Sequence, residues 1–165
     1  MTDGWAQRTV KRTSSPVLNM QSQGQGSLTV AFVTAADGAA LAGGASGQRV
    51  LNLGTVSYAA GARTPNVQTQ ARNGGFVVAT RFGLSIQDPS QHFSSATVLV
   101  SMALPDPFFT LRLDGVRLGT TPQVIQGRVR VGITVEHRLE VEVPASLTEK
   151  NSQLQNAILF QVIPN

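Results

Sequence analysis

Hydrophobic positions in this chain recur mostly at every second residue, the spacing at which side chains of an extended strand return to the same face. The longest run sets Phe76, Val78, Thr80, Phe82, Leu84 and Ile86 on one side and Val77, Ala79, Arg81, Gly83, Ser85 and Gln87 on the other. It stops at Asp88-Pro89-Ser90, a turn signal. A second run groups Ala96, Val98, Val100, Met102 and Leu104 ahead of Pro105-Asp106-Pro107. Phe109, Leu111 and Leu113 then lead into Asp114-Gly115 and out through Val116 and Leu118. Asp-Gly between two alternating runs predicts a tight hairpin, because both turn residues must take positive φ.

Weaker patterns fill the remainder. Leu28, Val30 and Phe32 alternate with Thr29, Ala31 and Val33 as far as Asp37-Gly38. Residues 35–47 are almost all Ala and Gly and read as a loop, and a short strand follows near residues 50–58. Val129, Val131, Ile133 and Val135, then Leu139, Val141 and Val143, predict two strands joined at Glu136-His137. In such a hairpin Arg128 and Arg130 would face Glu140 and Glu142, adding a few tenths of a kcal/mol per pair. Residues 146–156 are the one helix candidate and read as a single turn or an irregular loop. The final strand, near residues 157–163, has Ile158, Phe160 and Val162 on one face and Leu159 and Ile163 on the other. Apolar residues on both faces suit a strand with neighbours on each side.

Residues 1–26 show no sustained period and are rich in Ser, Gln, Thr and Gly, with Trp5 the one large aromatic. They predict a flexible polar N-terminal arm ahead of a β-sandwich domain at residues 27–165. The whole pattern predicts an all-β, two-sheet antiparallel sandwich, Ig-like or jelly-roll, of eight or nine short strands.

Composition narrows the chemistry more than the fold. A chain of 165 residues is one domain, large enough to bury a core without covalent staples. The absence of cysteine excludes disulfides, thiol nucleophiles, zinc–thiolate sites and iron–sulfur clusters. The net charge of +4 is scattered, with no basic cluster interleaved by aromatics, which argues against nucleic acid as a partner. No run approaches the roughly 18 apolar residues of a membrane span. The first residues also lack the basic and apolar stretches of a signal peptide, so the chain acts where it is made or has lost a leader.

Candidate active groups are few. Asp88, Ser90 and His92 contain the elements of a nucleophilic triad within five residues, but Asp-Pro-Ser between strands reads first as a turn. Glu136 beside His137 has the elements of a general base and its orienting carboxylate, yet the alternation around them predicts a solvated hairpin tip. Glu140 and Glu142 share a strand face about 7 Å apart, where arginine partners are expected in place of a metal. Phosphate-cradling and dinucleotide glycine motifs are missing, and Trp5 and Tyr58 alone make no sugar-stacking platform. No catalytic residue, cofactor or metal is therefore expected, and the chain reads as non-enzymatic.

A long polar arm, the segment Leu28/Val30/Phe32 and the final strand Ile158/Phe160/Val162 together describe a building block. This layout resembles fimbrial subunits of the chaperone–usher type, although many of those carry a disulfide and this chain has none. The resemblance implies an Ig-like fold, an N-terminal extension used in donor-strand exchange, copies of the same chain as partners, and an extracellular or cell-surface location. Residues 27–34 suit donating or receiving a strand. The expected assembly interface comprises Trp5, Leu28, Val30, Phe32, Phe108, Ile158, Phe160 and Val162; Phe108 and Phe109 place one ring on each side of the sheet. An alternative is a phage or virus structural protein (capsid, decoration or tail), its arm carrying Arg8, Lys11 and Arg12. A ligand- or carbohydrate-binding sandwich is the third class.

Overall fold

The alternation from Phe76 to Gln87 becomes the thirteen-residue strand β7 (Gly75–Gln87), the spine of one sheet. The computed structural model describes residues 13–43, 48–53, 56–57, 66–72, 75–103, 110–143 and 152–165, and among them thirteen strands and no helix. A six-stranded sheet runs β10 (Val116–Arg117), β9 (Thr110–Leu113), β12 (Thr134–Val143), β7 and β2 (Thr29–Thr34), and β6 (Gln68–Arg72) also pairs with β7. A seven-stranded sheet runs β11 (Gln123–Arg130), β8 (Ser95–Met102), β13 (Ser152–Pro164), β1 (Thr13–Gly24), β4 (Gln48–Asn52) and β3 (Leu41–Gly43), with β5 (Val56–Ser57) on β1. The two sheets pack face to face as a sandwich, as the alternation predicts. Every pairing is antiparallel except that of β1 with β13, which is parallel.

Even-numbered residues of β7, from Val78 to Ile86, point inward and are buried. Odd-numbered residues of β12, from His137 to Val143, are buried opposite them in register, with His137 across from Phe82 and Val141 across from Val78. Each fully buried Leu, Val or Phe contributes roughly 1.5–3 kcal/mol relative to exposure. At the centre three rings from both sheets meet edge to face: Phe32 and Phe160 at 5.1 Å, Phe82 and Phe160 at 5.9 Å, Phe32 and Phe82 at 6.4 Å.

Five expectations need correction. Residues 13–24, assigned to the arm by their polarity, form β1 inside the seven-stranded sheet. The outward positions of β1 are Asn19, Gln21 and Gln23, so Leu18 and Met20 alone betray the core there. The hairpin expected at Glu136-His137 does not exist. β11 pairs with β8, and the chain crosses to the other sheet at Val131-Gly132-Ile133, where Gly132 has φ of 90° and donates its N–H to the Ile86 carbonyl at 2.8 Å. Within the helix candidate, residues 152–156 belong to β13, and the loop at 35–47 contains the short edge strand β3. The strand count exceeds eight or nine because β1 and the short strands β3, β5, β6 and β10 add to the long ones.

The Asp-Gly hairpin forms as expected. Asp114 and Gly115 have φ of 51° and 83°, and Val116 and Arg117 pair back onto Leu113 and Arg112. Glutamates of β12 find arginines, but on β9 and on their own strand: Arg112 meets Glu142 at 2.7 Å and Arg138 meets Glu140 at 3.1 Å.

Candidate functional site: the β1 slot, its hinge and two histidine clusters

β1 occupies a slot between β13 and β4. It runs parallel to β13 from Ser14 opposite Ser152 to Gly24 opposite Val162, and antiparallel to β4 from Val17 to Gln21. Thr13 and Ser14 pair instead with β5, so Pro16 falls between the two stretches. That gap suits a residue with no N–H to give a ladder. Leu18 and Met20 are fully buried and pack in the same core as Ile158, Phe160 and Val162 of β13. The expected interface residues Leu28, Val30 and Phe32 lie in that core too, so six of the eight come together inside one chain. Trp5 and Phe108 lie outside the described residues.

The hinge joining β1 to β2 is four residues, 25–28. Gln25 donates to the Val162 carbonyl and Leu28 donates back to the Gln25 carbonyl, both at 3.2 Å. The turn is so tight that a Cβ on Gly24 would stand 1.9 Å from the Leu28 carbonyl oxygen, so glycine is required there. Ser27, inside the hinge, donates its hydroxyl to Asp88 Oδ1 and meets Ser90 Oγ at 2.5 Å. Asp88 also accepts from Ser90 Oγ at 2.8 Å and from the Phe93 N–H at 2.8 Å. The Ser27 hydroxyl foremost, with Phe93 and Ser90 adding to it, outweighs partial desolvation and holds the Asp88 carboxyl well below its usual range.

This network contains the serine and histidine that suggested a triad. His92 Nδ1 lies 3.2 Å from Ser90 Oγ, but the hydroxyl proton goes to Asp88. The contacts run carboxylate, serine, histidine, whereas an activated nucleophile needs the imidazole between the other two. The cluster is a turn, as expected, and it also staples the hinge to the β7–β8 loop.

His137 has a different setting. It is buried at 3% exposure, with Nδ1 at 2.5 Å from Asp114 Oδ2 and Nε2 against the Gln126 amide nitrogen. An ionised carboxylate only accepts, so Nδ1 carries the proton and Nε2 accepts from the Gln126 amide. The Gln126 Oε1 is left buried without a partner. Asp114 is doubly tied, since Oδ1 accepts the Arg138 N–H and its own N–H donates to the Arg138 carbonyl, both at 2.8 Å. The expected solvated tip is therefore a buried bridge linking β12 to β11 of the other sheet and to the β9–β10 turn. Glu136 takes no part; it points outward, 3.9 Å from Arg81. Asp114 and Gln126 escaped the sequence reading, although the Asp-Gly turn was the available signal for the former.

An open cleft of about 310 Å³ lies where β2 stops and β6 begins along β7. Its arginines are already engaged, Arg81 with Asp37 at 3.8 Å and Arg138 with Gln68 at 3.3 Å and Glu140 at 3.1 Å. Among the described residues there is no group of three or more His, Cys, Asp or Glu able to hold a metal ion. Among the described residues no helix is long and apolar enough to cross a membrane. Compared with known proteins, the sequence matches no family model and no curated relative.

Proposed function

We propose that this chain is a non-catalytic structural subunit of a self-assembling surface filament, in which β1 of one copy fills the slot of the next. The observation that carries this reading is the seat of β1. A strand tied to those after it by a single four-residue hinge supplies the middle of the seven-stranded sheet. Among the described residues, moving β1 to a neighbour preserves its ladder bonds and apolar contacts while making them intermolecular, and it disturbs only the hinge and its staple. An empty slot would expose two strand edges and the cavity left by Leu18 and Met20, so each copy needs a β1 from some source. The reading keeps the fimbria-like layout and replaces a free arm with a core strand as the element exchanged.

The test mixes full chain with the double variant Leu18→Asp, Met20→Asp, whose β1 no longer suits an apolar slot. Negative-stain microscopy should show filaments of the full chain that shorten as the variant is added, since the variant accepts a strand but cannot donate one. A full chain that elutes as a single monomer at every concentration, with no filaments and no exchange between labelled copies, overturns the reading.

A further inference from the structure

We infer that the free edge of β2 pairs antiparallel with the same edge of a second copy, about a two-fold axis perpendicular to the sheet at Ala31. This goes beyond the exchange of β1, because β2 presents the same edge whichever copy supplies the strand in the slot.

The exposed edges are built differently. β11 is interrupted by two register shifts and carries Arg128, at φ of 51°, and Arg130. β3 has three residues, and β10 has two, one of them Arg117. β6 ends in Arg72. Bulges, charge and brevity are the usual devices that stop one sheet from adding to another. β2 has none of them. Its six residues, Thr-Val-Ala-Phe-Val-Thr, contain no charge and no proline, and they pair with β7 without a register shift from Thr29 opposite Gln87 to Thr34 opposite Phe82. Among the described residues no strand pairs with its other edge.

Side-chain parity selects the arrangement. A two-fold axis perpendicular to the sheet keeps both cores on the same side, so inward residues must oppose inward residues. With the axis at Ala31, Val30 stands opposite the partner's Phe32, both inward, and Val33 opposite the partner's Thr29, both outward. Val33 is 43% exposed in the single chain and becomes covered by this contact. The residue that meets itself at the axis is small, and the absence of charge on β2 removes the like-charge penalty of bringing two identical edges together. Aliphatic–aromatic and β-branched pairs of this kind are favourable in antiparallel sheets.

The absence of native cysteine makes the test clean. In full-length chain, Ala31→Cys places two thiols directly opposite each other, within disulfide reach, and mild oxidation should give a covalent dimer. Val33→Cys should not cross-link, because the two copies of that position are offset by four residues, roughly 13 Å. Val124→Cys, on the β11 edge, is the control for random collision. Analytical ultracentrifugation should show Ala31→Lys weakening dimerisation at least tenfold with the thermal melt unchanged. Cross-linking of Ala31→Cys no faster than Val124→Cys or Val33→Cys overturns the inference, as does a dimer indifferent to Ala31→Lys. Specific cross-linking with neither filaments nor exchange of β1 between labelled copies would sustain this edge while refuting the exchange of β1.

Discussion

Two aspartates with similar sequence settings, each at a turn after an alternating run, have different roles set by their neighbours. Asp88 is partly exposed and collects hydroxyl and amide donors that pin the hinge. Because its folded carboxyl lies below its ordinary value of 3.8, its contribution to stability is complete above that value and is lost as pH falls through the folded value. Thermal melts of the native chain should therefore weaken below about pH 4, and Asp88→Asn should remove that part of the acid dependence while lowering the melting temperature at neutral pH. Phe160 belongs to the ring trio that ties the sheets together, and Phe160→Ala should cost about 3–5 kcal/mol by urea unfolding, with an unchanged slope on denaturant.

The Asp114-Gly115 hairpin is where one element stabilises two sheets. Asp114→Ala should cost about 2–3 kcal/mol, since it strands the buried His137 Nδ1–H and a backbone N–H and sets a side chain of lower αL tolerance at φ of 51°. Asp114→Asn should cost less, because its amide oxygen still accepts and asparagine tolerates that φ; parallel urea titrations of the two variants measure the difference. Elements of this kind were legible from the chain alone: the turn needs Asp-Gly, and β7 and β8 announce their inward faces by strict alternation. β1 was not legible, because its described outward positions Asn19, Gln21 and Gln23 are all amides, Pro16 argues against a strand, and its main partner lies almost the whole chain away. The false hairpin at Glu136-His137 arose because alternation runs unbroken through β12; Gly132 was the true break and carried little weight among aliphatic neighbours. Leu28, Val30, Phe32, Ile158, Phe160 and Val162 were identified as a group, but apolar alternation does not separate a core from a surface that a second copy would cover.

At the scale of the molecule the outer faces differ. The six-stranded sheet carries Arg81, Arg112, Glu136, Arg138, Glu140 and Glu142 outside, paired across strands or along them. The described side chains of β8, β13 and β1, at the centre of the other sheet, include no ionisable group. Exposed pairs of this kind are worth roughly 0–1 kcal/mol each and are screened by salt. Raising ionic strength should therefore shift the unfolding free energy by no more than about 3 kcal/mol for the three pairs together, as chemical denaturation in low and high salt would show, whereas a larger loss would mean that the belt of charges carries the fold.

The parallel pairing of β1 with β13 also dictates a timetable. Among the described strands β1 is made first and β13, beside it, last, so the centre of the seven-stranded sheet stays open until the other described strands have been made. Closing so long a loop before any reward from its contacts makes for slow folding, on the order of milliseconds to seconds for all-β topologies. Until β13 is made, β1 has only β4 and β5 to pair with, and its longest ladder is the last to close. Under the proposed exchange of β1, local chain concentration during folding, more than the stability of the finished sandwich, would decide which copy each β1 completes.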